Sequence, residues 1–255
     1  MTIITEPVFY LLAIPALITL GLAKGGFTGV GAMATPLVAF YLPPLEAAAL
    51  ILPVLIVQDA ISVWIYHRDW SAWNLKVMLP GAVIGIGIAW VFAGFVSDDV
   101  VRVTVGIIGV TFVLNAWFNR HLTGAQEKTA ASGVFWGGVA GFVSTLTQGG
   151  SPPFQVHVLP QRLPKMELVG TITLFFAAVN AMKIVPYVAL GHFNTRNFAT
   201  SLLLLPIAVA TNFLGVWLVK RTPMEAFYTI TYVLTLLISV ALIVQGAWNL
   251  LSPGT

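Results

Sequence analysis

Apolar residues gather along this chain in ten stretches, at about 8–23, 27–41, 45–66, 75–96, 100–118, 132–147, 153–159, 168–190, 198–219 and 224–250. A helix that crosses a bilayer needs about 20 apolar residues. Six of the stretches are near or above that length, and four are short. The short ones form two adjacent pairs. Lys24-Gly25-Gly26 interrupts the first pair, and Gln148-Gly149-Gly150-Ser151-Pro152-Pro153 interrupts the second. Short segments broken by Gly and Pro, in corresponding places of two halves, point to a transport site.

Composition narrows the class. Of 255 residues, 58% are apolar and only 8% are Asp, Glu, Lys or Arg. The charged fraction is about a third of the usual quarter, and the mean hydropathy is +0.92. These values exclude a soluble globular domain, a disordered chain and a nucleic-acid binder, and predict a helical integral membrane protein. The net charge of +3 fits basic cytoplasmic loops and not an anionic macromolecular partner. The absence of cysteine removes disulfides, thiolate metal sites and thiol chemistry. No positive charge lies in the first six residues, so the N-terminus is expected to belong to the mature fold and not to a signal peptide.

The halves can be laid over each other. Leu22-Ala23-Lys24-Gly25-Gly26 matches Leu146-Thr147-Gln148-Gly149-Gly150, and Pro36 then falls on Pro160. Leu42-Pro43-Pro44-Leu45-Glu46 matches Leu163-Pro164-Lys165-Met166-Glu167. In that register Asp59 falls on Asn180, Ser62 on Lys183 and Tyr66 on Tyr187, and Pro80 and Pro206 are expected to begin the next helices. A series of matches in one order reads as an internal repeat.

Charge decides how the repeats lie. If each broken pair is a hairpin that enters the membrane and returns to the same side, three spans follow in each half and the second half is inverted. One side then collects Arg68, Lys76, Arg120, Lys128, Arg162, Lys165, Lys220 and Arg221, against Arg102 and Arg196 on the other. If each pair crosses as one unit, the same residues divide five against five. The first arrangement obeys the positive-inside rule. The expected fold is therefore an all-α integral membrane protein of two inverted-topology repeats, each a re-entrant broken-helix hairpin plus three transmembrane helices. Repeat 1 covers 1–118, with a hairpin over 8–41 and spans over 45–66, 75–96 and 100–118. A cytoplasmic linker covers 119–131. Repeat 2 covers 132–255, with a hairpin over 132–160 and spans over 168–190, 198–219 and 224–250. Both termini are expected to be non-cytoplasmic.

The hairpin tips are the candidate site. Irregular backbone inside a bilayer is tolerated only where it is buried in protein or lines a wet cavity. Gly25, Gly26, Gly149 and Gly150 permit the reversals. The helices leaving the tips, beginning near Phe27 and Pro153, would present positive dipole ends, and such ends bind anions. Lys24 adds a charge, and Thr28, Thr147, Gln148 and Ser151 add hydrogen-bonding groups. The bland alternative is that the glycines serve helix packing alone.

Two further ionisable groups lie deep in later spans. Asp59 and Ser62 are three residues apart, as are Asn180 and Lys183, so each pair shares a helix face. Lys183 is expected to be a second substrate-attracting cation, or else to snorkel outward. Asp59 is a candidate gate or proton carrier, with Asn180 beside it, or else the counter-ion of Lys24 or Lys183. His157 is either a gating donor that lines the site or a packing histidine. His67, His121 and His192, with Trp64, Trp70, Trp73, Trp117 and Trp248, fall at span ends, where interfacial belts form. No Asp-rich prenyl-diphosphate, His-Glu-x-x-His, Gly-x-Ser-x-Gly or P-loop motif is present. The chain is therefore not expected to be an enzyme, to use ATP or to hold a cofactor or metal.

The run Gly21-Leu-Ala-Lys-Gly-Gly-Phe27 followed by Pro36, and the run Trp136-Gly-Gly-Val-Ala-Gly-Phe-Val-Ser144 followed by Gln148-Gly-Gly-Ser-Pro-Pro153, resemble the two signatures of the TauE/SafE sulfite exporter family. Arg68-Asp69-Trp70 with Asn74 resembles that family's short connection after its second span. The resemblance implies export of sulfite or small organosulfonates such as sulfoacetate across a bacterial inner membrane. The expected partners are a small anionic substrate and membrane lipid, with a homodimer compatible and no nucleic acid. The alternatives are proton-coupled import of a carboxylate or inorganic sulfur anion, a membrane-embedded enzyme, and a non-transporting assembly factor.

Overall fold

The computed structural model describes residues 3–27, 31, 34–42, 44–92, 95, 97–118, 129–189 and 195–251. Thr28, Pro43, Arg120, His121, Lys128, His192 and most of the 119–131 linker lie outside the described residues. The described chain is all-helical: α1 Pro7–Gly25, α2 Ala34–Ala39, α3 Pro44–Tyr66, α4 Ala72–Phe92, α5 Asp98–Phe118, α6 Ala130–Thr147, α7 Ser151–Val158 with a 3₁₀ turn at Leu159–Gln161, α8 Lys165–Ala189, α9 Thr195–Arg221 and α10 Met224–Leu251. Among them α1, α3, α4, α6, α8, α9 and α10 are long and apolar enough to cross a membrane. The sequence reading made the first arms of both hairpins short. Instead, α1 runs 19 residues and α6 18, lengths of about 27–29 Å at the helical rise.

The outer surface is apolar and the interior is partly polar. Leu11, Val91, Leu203, Leu237 and Val244 face outward, whereas Gln58, Ser62, Asn74, Lys183, Asn212 and Ser239 are fully buried. A soluble protein sorts its residues the other way, because water and not hydrocarbon solvates its outer faces.

Local chemistry explains where the first arms stop. Gly26 has φ 129° and its N–H donates to Ala23 O, while Phe27 N–H reaches back to Leu22 O. These two bonds form a Schellman ending, which favours glycine at that position. Phe27, expected to begin the returning helix, instead belongs to the cap of α1; the next α-helix among the described residues is Ala34–Ala39. The end of α6 is different. Gln148 takes the left-handed conformation, φ 59°, and its N–H donates to Ser144 O. That single bond is the simpler left-handed ending, here on a residue with a side chain. α7 starts at Ser151, with Pro152 and Pro153 in its first turn, where their missing N–H groups cost nothing.

Small residues set the packing. α1 lies along α9 in the same direction. Ile4 N–H bonds Thr200 Oγ1 at 3.1 Å, Thr211 Oγ1 bonds Leu17 O at 3.1 Å, and a methyl on Gly25 would stand 2.1 Å from the carbonyl carbon of Gly215. α6 lies along α4 likewise, with Gly85 against Gly138 O and Gly137 against Met78 O. α3 and α8 cross in opposite directions. Gly170 abuts Asp69 O near one end, and Tyr187 packs on Ala48, Ala49 and Leu52 near the other. α5 and α10 are also antiparallel, joined by Asn249 Nδ2 donating to Asp99 Oδ1 at 2.9 Å.

Lys165 donates to Val219 O and Thr222 O, at 2.9 and 2.6 Å, and Asn74 exchanges amide bonds with Gln161. These contacts gather the helix ends bearing Arg68, Lys76, Arg162, Lys165, Lys220 and Arg221 at one end of the bundle. Arg102 and Arg196 sit at the opposite end, beside Asp99 and Glu6. Pro80 and Pro206 do not begin helices. They lie inside α4 and α9, whose first residues are Ala72 and Thr195. Proline within a spanning helix is tolerated because neighbouring groups satisfy the freed carbonyls.

Candidate functional site

At the crossing of α3 and α8, Asp59 accepts two bonds. Lys24 Nζ, from the last turn of α1, donates to Oδ1, and Asn180 Nδ2 donates to Oδ2 at 2.6 Å. The Lys24 and Asp59 side chains are 11% and 5% exposed, so this ion pair is largely withdrawn from solvent. Breaking such a pair by removing one partner leaves an uncompensated buried charge. Ser62, one turn beyond Asp59, donates to Asn212 Oδ1 at 3.1 Å. Asn212 Nδ2 in turn donates to Gln58 O at 3.0 Å.

Lys183 lies on the α8 face that carries Asn180 and is fully buried. Its Nζ donates to Ser144 O at 3.2 Å, Ser144 Oγ at 3.1 Å and Gln148 Oε1. It does not snorkel. It reaches across to the end of α6 and holds the left-handed Gln148. An ammonium has only donors, so the carboxamide atom facing it is the oxygen. The amide nitrogen is thereby turned away. Gln148 Nε2 is buried and has no hydrogen-bond partner among the described residues. A left-handed non-glycine residue costs roughly 1–2 kcal/mol, and an unpaired buried donor costs about 1–3 kcal/mol more. Both fall on one residue.

Gln148 lines a cavity of about 60 Å³, together with Lys24, Ser144, Ser151, Thr173 and Asn180. Leu20, Ala23, Gly31, Leu55, Ile172 and Phe176 complete its wall. At the liquid volume of water that space holds roughly two waters, or one small anion.

The structure thus brings Lys24, Gln148, Ser151 and Asn180 to one cavity, with Asp59 and Lys183 directly behind its wall. Gly25, Gly26, Gly149, Gly150 and Thr147 are absent from the lining. Gly26 packs on Val169 and Val219, Gly150 meets Ala140 O and Phe176, and Thr147 Oγ1 bonds Val143 O at 3.2 Å. They shape the turns. His157 lies away from the cavity, with Nδ1 3.1 Å from Ser132 Oγ and its ring stacked on Trp73. Thr28 lies outside the described residues. Sequence reading missed Ser144 and Thr173. Helical spacing could have found both, since Ser144 is one turn before Gln148 and Thr173 is two turns before Asn180 on the same face.

Comparison with curated proteins and with solved structures returns no match. The family described as Sulfite exporter TauE/SafE matches residues 13–242, a range that contains every cavity residue. Its match and the seven apolar helices make the chain a multi-pass membrane protein of the sulfur-anion exporter kind, and the chain belongs to the sulfite exporter TauE/SafE family.

Proposed function

We propose that this protein is a secondary carrier that exports a small sulfur-containing anion, sulfite or an organosulfonate such as sulfoacetate, across the cytoplasmic membrane. The observation that carries this reading is the Gln148 amide. Lys183 holds its oxygen, its buried Nε2 has no partner among the described residues, and Gln148 lines a cavity that Lys24 also lines. A bound oxyanion would satisfy that orphaned donor, accept from Ser151 and draw the Lys24 ammonium from Asp59, which would keep its bond from Asn180. The small cavity favours sulfite over a longer sulfonate in this conformation. In this reading Asp59 is a counter-ion that yields to the substrate, which makes it a gate and not a proton carrier.

The same reading places the cavity near the membrane midplane between two inverted repeats, 1–118 and 132–255, joined by a cytoplasmic linker at 119–131. Reciprocal packing supports it: α1 on α9 is the counterpart of α6 on α4, and α3·α9 of α8·α4. The gathered basic ends would face the cytoplasm, leaving both termini outside. Rocking of one bundle against the other would alternate access. An inside-negative potential drives an anion outward by about 2.3 kcal/mol per charge per 100 mV, so export needs no coupling ion and no chemistry on the substrate.

The test is sulfite flux in inside-out membrane vesicles containing wild type or Gln148→Ala. The reading expects flux to fall at least tenfold in the variant at equal protein level. Undiminished flux would move the site away from Gln148.

A further inference from the structure

We propose that the cavity selects by valence and takes monovalent anions, such as hydrogensulfite or a sulfonate, while rejecting dianions of the same size and shape. This inference rests on the anion-site reading above and sharpens it.

Matched positions in the two halves carry unequal charge. In the first half Lys24 closes on Asp59, and the pair is neutral. In the second half the positions of Lys24, Asp59 and Ser62 are occupied by Gln148, Asn180 and Lys183. The oxygens that Lys183 bonds are all neutral, from Ser144 and Gln148. Three acceptors for one nitrogen match the three N–H bonds of the ammonium form. Among the described residues the remaining buried charge is Arg102, which is paired with Asp99 at the far end of α5. The undescribed stretches beside the first tip, 28–30 and 32–33, contain no ionisable residue. Lys24, Asp59 and Lys183 therefore sum to one positive charge around the cavity.

A monoanion brings that sum to zero. A dianion leaves one uncompensated negative charge inside the bilayer, where unpaired charge is costly. Lys183 does not reach the cavity itself. It acts through the amide it orients, as a fixed charge behind the Gln148 donor.

Methanesulfonate and sulfate are near-isosteric and differ in charge, so they make the probe pair. Each is titrated calorimetrically into the purified full-length protein at one pH and ionic strength. Wild type is expected to bind methanesulfonate at least tenfold tighter than sulfate. Asp59→Asn raises the local sum to two positive charges and is expected to shift the preference at least tenfold toward sulfate. Lys183→Gln lowers the sum to zero and is expected to weaken methanesulfonate at least tenfold with no gain for sulfate. Sulfate binding to wild type as tightly as methanesulfonate would overturn valence selection while leaving the anion site standing. Binding of neither anion by folded wild type would overturn the anion site and valence selection with it.

Discussion

Asp59 and Asn180 hold matched register positions in the two halves of the chain, and their side chains bond to each other at 2.6 Å where α3 crosses α8. The register was read from sequence alone, yet it brings equivalent residues into contact. That contact is where the two halves exchange a carboxylate for its amide, and where the first half's ion pair meets the second half's amide donor.

The ion pair beside that contact should be a strong coupling. Lys24→Gln alone strands the Asp59 carboxylate, and Asp59→Asn alone strands Lys24. Each should cost about 3–5 kcal/mol, and the double variant should recover much of the loss. Denaturant unfolding in detergent for all four proteins closes the cycle. Additive losses would mean that the pair is not an energetic unit.

Gln148 should separate stability from function. Gln148→Gly relieves the left-handed strain, about 1–2 kcal/mol, but takes one acceptor from the buried Lys183 ammonium, about 1.5–3 kcal/mol, so stability should change by no more than about 2 kcal/mol while the orphaned donor is lost. A hydrogen bond to a charged ligand is worth about 1.5–3 kcal/mol, so sulfite affinity should fall roughly 10- to 100-fold. Melting temperature and titration on one sample report both. A larger loss of stability with unchanged affinity would contradict the assigned role.

The close helix contacts should be equally specific. Gly25→Ala places its methyl 2.1 Å from Gly215 backbone and should destabilise by about 1–3 kcal/mol through overpacking. Gly87, beside which a methyl meets nothing within 4 Å, is the matched control. Gly87→Ala should be neutral or stabilising, because alanine is the better helix former. Thermal unfolding of the two variants decides between packing and composition.

Much of this is legible in the sequence. The helical membrane class followed from composition, and the Gly-rich breaks marked the helix ends that bear Lys24 and Gln148. The register matched Asp59 with Asn180. Two kinds of fact stayed hidden. Whether Asp59 neutralised Lys24 or Lys183 depended on which side chain crossed the bundle, and both spacings allowed it. The Gly-Gly pairs suggested site backbone, but the residue at the cavity with left-handed backbone is Gln148. That conformation is normally signalled by glycine, so sequence gave no mark of it. Helix ends were misplaced for a related reason. Phe27 reads as the first residue of an apolar run, while its N–H serves to cap α1.

The absence of cysteine makes single-cysteine probes clean. Thr173→Cys should react slowly with a small maleimide, and methanesulfonate should protect it at least threefold. A cysteine replacing Ala60, exposed on the apolar side of α3, should show no such protection. Equal protection at both positions would indicate a global change and not occupancy of the cavity.

The most direct test of an anion exporter with its site at Lys24 and Gln148 is sulfite flux from proteoliposomes under an imposed potential. Wild type should release sulfite faster as the interior is made more negative, and Lys24→Met should abolish the voltage-driven component. Voltage-independent release, or full flux from the Lys24→Met protein, would contradict the account.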